Sequence, residues 1–367
     1  MRARASTATR TKGRWLVVAL PAFLMVLLGP SPAPATHLTA AGIPAGPTLP
    51  WGFNEDWGWR SGDFSPKRAT RQVEKAAAIM RDSLSANRLH VQWADVERRR
   101  GRYRWGKADH AYRALQSYTA EPVMLLYNAP GWARDPRARC RAETCAYPPR
   151  PKYDRRWKRF VRAAVSRYPD VRAIEIWNEP NLSRFWAPRA DPKRYATVLR
   201  LAHDAIVAAN GTAPVLIGGL IPIATRSGNV SADEFLREIY RSAGAGAFEG
   251  IATHPYPRHA PFIQTMWKWL DALRAVRAEN GDEATPLWIT EVGISTHASS
   301  GVPPDQQGDL LVELYRSVQG HDVASFVIHR FQPGAEGGYW NQTSVVEDHL
   351  VPKPAYCELG AGIGIAC

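Results

Sequence analysis

The stretch from Ala173 to Pro180 reads AIEIWNEP, an apolar strand pattern that ends in an asparagine, a glutamate and a chain-breaking proline. The chain contains seven other short apolar runs, and amphipathic segments with apolar residues every three to four positions separate them. This alternation of strand and helix patterns predicts an α/β fold with a parallel sheet. The eight predicted strands begin near Trp51, Asn87, Pro122, Ala173, Pro214, Gly250, Pro286 and Ser325.

The amphipathic segments predict seven helices, one after each of the first seven strands. They are Gln72–Leu84, Ala108–Tyr118, Arg155–Arg167, Pro192–Ala209, Ala232–Ala243, Phe262–Glu279 and Asp305–Gln319. Strict alternation of eight strands with helices, without a dividing linker, favours a single (β/α)8 TIM barrel, which typically needs about 250 residues. A doubly wound open sheet produces a similar alternation and remains the alternative.

The N-terminal segment has the pattern of a secretory signal peptide. Residues 1–14 carry five Lys or Arg and no acidic residue, and an apolar run interrupted by Pro21 covers Trp15–Leu28. Ala33-Pro34-Ala35 supplies a cleavage pattern of small residues. We therefore expect a signal peptide over 1–35, a leader over 36–49 and the barrel over 50–367, in a secreted or cell-envelope-associated protein. An uncleaved membrane anchor is the alternative.

The composition is that of a globular protein, with 45% hydrophobic and 22% charged residues, which excludes disordered, collagen-like and coiled-coil chains. The formal net charge is +13, but removal of the five basic residues of the signal segment lowers it to about +8. Basic residues concentrate at Arg98–Arg102 and Arg134–Arg162. They form either a solvated surface or a patch that attracts an anionic polysaccharide or the cell envelope. Nucleic acid is not an expected partner, because no binding motif accompanies the charge.

The four cysteines form two closely spaced pairs, Cys140 with Cys145 and Cys357 with Cys367. In an exported protein this spacing predicts two local disulfides. A zinc site is the less favoured alternative, because neither pair has two-residue spacing.

The glycine-rich tail Gly360–Gly364 matches half of a dinucleotide fingerprint, but no segment follows that could form the phosphate-binding helix. We predict a terminal loop there. The sequence also lacks phosphate-loop, metalloprotease and serine-hydrolase motifs, so we expect neither a cofactor nor a metal.

Two glutamates fall at predicted strand ends, where a barrel concentrates its chemistry. Glu179 ends the fourth strand and Glu291 ends the seventh, within WITEVG at 288–293. Two carboxyl groups that face each other are what cleavage of a glycosidic bond requires. Glu175, two positions before Trp177, points into the barrel interior and is predicted to pair with a basic residue.

WNEP at 177–180 and WITEVG at 288–293 resemble the two signatures of the retaining glycoside hydrolases of clan A, and families 5 and 39 are the nearest. The resemblance implies a retaining O-glycosyl hydrolase on a carbohydrate substrate, with Glu179 as general acid/base and Glu291 as nucleophile. A catalytically silent barrel that binds envelope polysaccharide and a transglycosidase on the same site are the alternatives.

The resemblance extends to residues around the two glutamates. It implies that Arg88 supports the nucleophile, that Asn178 binds the sugar 2-hydroxyl, and that His254 and Tyr256 of an H-x-Y element line the site, with the tyrosine hydrogen-bonded to the nucleophile.

The sequence departs from many relatives at the eighth strand, which has no tryptophan at its end. The sugar platform is therefore expected from Phe331 or from Trp340 in the following loop. Further candidates for lining the site share positions at strand ends or in the loops after them. They are His90, Asn128, Trp132 and Trp186.

Overall fold

The computed structural model describes residues 49–54, 86–116, 121–140, 142, 145–209, 211–333, 338–347 and 351–363. The predicted signal peptide, almost all of the predicted leader and the predicted helix Gln72–Leu84 lie outside these residues.

Eight parallel strands form one sheet, as the sequence predicts. They are β1 (Trp51–Phe53), β2 (Arg88–Gln92), β3 (Val123–Tyr127), β4 (Ala173–Asn178), β5 (Val215–Leu220), β6 (Gly250–Thr253), β7 (Leu287–Val292) and β8 (Val323–Ile328). The hydrogen-bonded order is β1-β8-β7-β6-β5-β4-β3-β2, so the first strand pairs with the last. This order identifies the (β/α)8 barrel and excludes the doubly wound sheet.

No strand ladder joins β1 to β2 among the described residues, so this seam differs from the other strand pairs. A single parallel bridge joins Asn54 to Arg88. The amide of Ala86 donates to the carbonyl of Trp51 at 3.1 Å, and the side-chain oxygen of Asn87 accepts from the amide of Phe53 at 2.6 Å. The barrel is thus closed at this seam by a few specific hydrogen bonds.

The described helices follow the strands. They are α1 (Trp93–Val96), α2 (Gly106–Gln116), α3 (Asp154–Arg167), α4 (Pro192–Val207), α5 (Ala232–Ala243), α6 (Phe262–Glu279), α7 (Gln307–Val318) and α8 (Pro354–Ile363). The predicted bounds of α5 and α6 match the structure, and those of α2, α3, α4 and α7 differ by one or two residues at the described ends. Among the described helices, none combines the length and apolar character needed to cross a membrane.

The strands are buried on both faces, which explains their continuous apolar sequences. The outer face packs against the helices in a large core that includes an aromatic group around Trp93, Trp157 and Phe160. A second, smaller cluster that includes Leu216 and Trp288 fills the barrel interior. Burial from both sides fixes the strands, and therefore the positions of the residues at their ends.

The C-terminal tail contradicts the prediction of a loop at Gly360–Gly364. Residues up to Ile363 belong to α8, which packs against α7. A Cβ atom added at Gly362 would lie 2.5 Å from Val312, so this glycine allows the two helices to approach closely. Tertiary packing therefore outweighs the low helix propensity of glycine.

The disulfide between Cys140 and Cys145 is present, as predicted. Cys357 lies on α8 and is disulfide-bonded, and its predicted partner Cys367 lies outside the described residues.

The close contact between α7 and α8 gives a test of the fold at Gly308. A Cβ atom there would lie 2.8 Å from the Cα of Ala355, and we expect Gly308→Ala to lower the free energy of unfolding by about 1–3 kcal/mol through overpacking. Gly106, where an added Cβ meets no atom within 4 Å, provides the control. Urea unfolding in which Gly308→Ala matched or exceeded Gly106→Ala in stability would contradict this packing.

Candidate active site

The carboxyl ends of the strands surround a cavity of about 750 Å³ at one mouth of the barrel. Its lining includes Asn54 after β1, His90 on β2, Asn178 and Glu179 at the end of β4, Tyr256 after β6 and Glu291 on β7. Residues far apart in the chain thus meet because each follows or ends a different strand of one closed sheet.

Glu179 is held by an unusual backbone at the end of β4. Trp177 and Glu179 have φ angles of 80° and 42°, in the left-handed region that non-glycine residues rarely adopt. Such conformations persist where surrounding packing fixes them, commonly at functional sites. Trp177 is fully buried, and its indole nitrogen donates to the carbonyl of Phe185 at 2.6 Å. Packing of Trp177 therefore holds the turn that directs Glu179 to the cavity.

His254 lies against Glu179, with Nδ1 2.9 Å from Oε1 of the glutamate. Gly219 on β5 makes this placement possible, because a Cβ atom there would lie 2.0 Å from Nε2 of the histidine. On the other side of the ring, Nε2 is 3.2 Å from Oγ1 of Thr290. That hydroxyl donates its proton to Oε1 of Glu175 at 3.2 Å, so it accepts from Nε2 of His254. Nδ1 is therefore the ring atom that shares a proton with Glu179.

The two oxygens of Glu179 have different surroundings. Oε1 faces His254, whereas Oε2 is buried and has no hydrogen-bond partner among the described residues. A buried carboxyl oxygen without a partner is costly when it carries charge. Oε2 is therefore the oxygen of Glu179 whose hydrogen-bonding capacity the described residues leave unused.

Glu291 instead accepts hydrogen bonds at both oxygens. Its Oε1 accepts from Arg88, and from Nδ2 of Asn54 at 2.9 Å. Its Oε2 accepts from the hydroxyl of Tyr256 at 2.7 Å. Such bonds stabilise the ionised form of a carboxyl group.

Burial alone would raise the pKa of Glu291, but the neighbouring His254 and Arg88 outweigh burial. With further contributions from His329 and the Tyr256 hydroxyl, they hold the pKa of Glu291 well below its usual range. The carboxylate in turn contributes to the raised pKa of Tyr256, whose largest cause is burial. Glu291 is therefore ionised and Tyr256 protonated at neutral pH.

Arg88 connects the site to the barrel interior. Its Nε and Nη2 each donate to Glu175 at 2.8 Å, and Nη2 also donates to Oδ1 of Asn178 at 3.0 Å. Nη1 donates to Glu291. The structure thus confirms the predicted pairing of Glu175 with a basic residue and identifies Arg88 as that residue. The same guanidinium orients Asn178, whose amide nitrogen is left to donate.

His90 supports Glu291 through an intermediate residue. Its Nε2 donates to Oδ1 of Asn54 at 2.6 Å, and Asn54 donates to Glu291. Burial, followed by the charge of Arg88, lowers the pKa of His90 to about 3. The imidazole is therefore neutral at physiological pH, with its proton on the nitrogen that faces Asn54.

Three potential metal ligands lie close together at the site. One atom each from Glu179, His254 and Glu291 lies within 4.8 Å of the other two. Two carboxylates and an imidazole form a donor set that could hold a metal ion. Arg88 and Tyr256, however, already donate to the two oxygens of Glu291. Hydrogen bonds from Arg88 and Tyr256 thus already stabilise the negative charge of Glu291.

The four aromatic residues predicted to line the site differ in whether they reach the cavity. Trp340 lines the cavity and packs against Tyr256, with ring centroids 4.9 Å apart. Phe331 and Trp186 are buried in the core, away from the cavity lining. Trp132 packs edge-on against Trp93 and donates to the carbonyl of Glu97, so it also lies outside the lining.

Asn128 lines the cavity, where its Nδ2 donates to the side chain of Gln92 at 2.9 Å. The lining residues that the sequence did not single out include Arg184, Phe185, His329 and Arg330. The first two lie in the loop after β4, and the other two follow β8 directly. Their positions after strands were the available signal, but their residue types match no motif.

The fold is similar to solved glycoside hydrolases. A β-xylosidase from Caulobacter crescentus CB15 has a TM-score of 0.66 and 19% identity, over 89% of this chain and 70% of that one. A family 39 glycoside hydrolase from Bacteroides cellulosilyticus WH2 has a TM-score of 0.62 and 18% identity, over 84% and 62%. The GH5_18 protein from Streptomyces cattleya, solved with GlcNAc, has a TM-score of 0.64 and 14% identity, over 86% and 80%.

These similarities confirm the predicted structural resemblance to families 5 and 39 on a TIM barrel. The chain spans about three fifths of the length of the family 39 protein. No protein-family model matches the sequence, and no curated protein matches it either.

The lowered pKa of His90 predicts a loss of stability in acid. The unfolded chain binds a proton on His90 below its ordinary pKa of 6.5, whereas the folded protein does not until about pH 3. Glu291 adds to this loss only below its ordinary pKa of 4.5. Between pH 6.5 and 4.5, we therefore expect His90→Gln to lose less stability than the wild type in urea unfolding. The variant His259→Gln, at an exposed position, is the control. If the free energy of unfolding changed equally with pH in the wild type and in His90→Gln, the interpretation would be contradicted.

Proposed function

We propose that the protein is a secreted retaining glycoside hydrolase that cleaves O-glycosidic bonds of an oligosaccharide or polysaccharide by double displacement. The observation that carries this proposal is the contrast between two neighbouring carboxyl groups in one cavity. Glu291 is held ionised by Arg88, Asn54 and Tyr256, whereas Glu179 presents a buried oxygen without a partner. Carboxyl groups whose environments differ in this way divide the roles of nucleophile and acid.

The spacing of the glutamates favours retention of configuration. One oxygen of Glu179 and one of Glu291 lie within 4.8 Å of each other. Retaining enzymes place their carboxyl groups about 5–5.5 Å apart, whereas inverting enzymes need roughly 6.5–9.5 Å to admit a water molecule between them.

In the first step, Glu291 attacks the anomeric carbon while Glu179 protonates the departing oxygen, which breaks the glycosidic bond and forms a glycosyl ester with Glu291. Because Nε2 of His254 donates to Thr290, Nδ1 and Glu179 share one proton. This pair supplies the proton to the leaving group. In the second step, Glu179 removes a proton from water, which attacks the anomeric carbon and releases Glu291.

The surrounding residues support these steps. Tyr256 and Arg88 hold the attacking carboxylate in position, and the amide nitrogen of Asn178 is available for the sugar 2-hydroxyl. Trp340 supplies an aromatic wall for the sugar ring. The resemblance to a β-xylosidase and to a protein that binds GlcNAc supports a carbohydrate substrate. Secretion rests on the signal-peptide pattern of residues 1–35.

We expect Glu291→Gln to lose turnover of aryl glycosides by about 10³-fold or more, because the amide cannot serve as nucleophile. A 2-fluoro glycoside should label Glu291 in the wild type, as peptide mass spectrometry would show. Glu313→Gln, at an exposed position of α7, controls for the charge change. A folded Glu291→Gln variant with unaltered turnover would refute the assignment, and sugar binding without turnover in the wild type would favour the polysaccharide-binding alternative.

Glu179→Gln should show a loss that depends on the leaving group. General acid catalysis contributes about 10²–10⁴-fold when the departing oxygen needs a proton. The rate of glycosyl-enzyme formation should therefore fall steeply for an alkyl glycoside and little for a dinitrophenyl glycoside, in pre-steady-state measurements. An equal loss for both substrates would exclude Glu179 as the acid.

A further inference from the structure

The loop after β4 carries a rigid turn beside Glu179. The amide of Leu182 donates to the carbonyl of Glu179 at 2.9 Å, and the amide of Phe185 donates to the carbonyl of Leu182 at 3.1 Å. The carbonyl of Arg184 accepts from the amide of Ala146, which follows the disulfide-bonded Cys145, at 3.0 Å. The backbone of Arg184 is thus fixed on both sides.

The side chain of Arg184 is positioned by stacking, and no described side chain forms an ion pair with it. Its guanidinium lies over the ring of Phe185, 4.4 Å from the centroid, and both residues line the cavity. Its Nε is buried without a hydrogen-bond partner, and no ion pair to Arg184 forms among the described residues. A guanidinium stacked on a ring keeps its edge free for two parallel hydrogen bonds to a carboxylate.

The charge of Arg184 has no acidic partner among the described residues, which favours an anion at this position. Of the described lining residues, only Glu179 and Glu291 are acidic, and Glu291 already accepts hydrogen bonds from protein donors at both oxygens. Arg184 adds a permanent positive charge to this lining. It follows β4, the strand that leads to Glu179.

We propose that Arg184 recognises a carboxylate on the leaving-group side of the substrate, so that the enzyme prefers acidic saccharides that contain uronic acid residues. We place Arg184 on the leaving-group side because it comes five residues after Glu179. In the proposed mechanism, Glu179 protonates the leaving oxygen. Glu291 and Tyr256 instead come from β7 and from the segment after β6. This inference rests on the proposed function and adds the substrate class.

Matched substrate pairs test the proposal. Polygalacturonate, alginate, hyaluronan and glucuronoxylan are each compared with their carboxyl-reduced forms, in which the acid becomes a neutral hydroxymethyl group. We expect kcat/KM to be at least about tenfold higher for the acidic member of the pair that the enzyme cleaves, since hydrogen bonds to charged groups are the strong ones. Desulfated and sulfated forms of a neutral polysaccharide distinguish recognition of a carboxylate from recognition of any anion.

Two variants locate the effect. Arg184→Gln should reduce the ratio of kcat/KM between the acidic and reduced members by about tenfold. Arg189→Gln removes the same charge from an exposed position of the same loop, outside the cavity lining, and should leave that ratio unchanged. Binding of the same pairs to the Glu291→Gln variant, measured by calorimetry, reports the preference without turnover.

Three outcomes would overturn the proposal: a reduced substrate cleaved as well as its acidic partner, a ratio that Arg184→Gln leaves unchanged, or a sulfate preference equal to the carboxylate preference. Cleavage of neutral substrates only would refute this inference and leave the proposed hydrolase function intact. Absence of both turnover and covalent labelling of Glu291 would refute the proposed function, while calorimetry would still show whether Arg184 selects the acidic saccharide.

Discussion

The guanidinium of Arg88 lies between two buried carboxylates, and much of the site depends on this contact. It pairs with Glu175 inside the barrel and with Glu291 at its mouth, while the same group orients Asn178. Removing one partner of a buried ion pair typically costs about 3–5 kcal/mol, because the remaining charge stays buried without compensation. One cation therefore serves both the interior of the barrel and the ionised state of the proposed nucleophile.

The sequence predicts the fold well because the patterns that indicate strands and helices are local. Apolar runs such as AIEIW and helical periods such as Ala232–Ala243 depend on neighbouring residues, and strand ends follow from them. Glu179 and Glu291 could be found because they stand at two such ends within recognisable motifs. The barrel then brings them together without any further information.

Other features depend on contacts that are remote in sequence. The helix at Gly362 exists because its small residue fits against Val312, which propensity alone does not reveal. Trp132 and Trp186 lie in loops yet pack into the aromatic core, because burial of a large ring competes with exposure at the mouth. Arg184 could not be predicted from the sequence, because only the surrounding cavity indicates a binding role for an isolated arginine.

Closure of the barrel at the seam between β1 and β2 also completes the site, because the same residue takes part in both. Asn54 contributes to the seam through its bridge to Arg88 and binds Glu291, a residue 237 positions further along the chain. During synthesis, β1 emerges first but must wait for β8, its only partner through a strand ladder among the described strands. Until that strand arrives, the proposed nucleophile lacks one of its donors. The proposed catalytic site is therefore complete only when the whole ring of strands has closed.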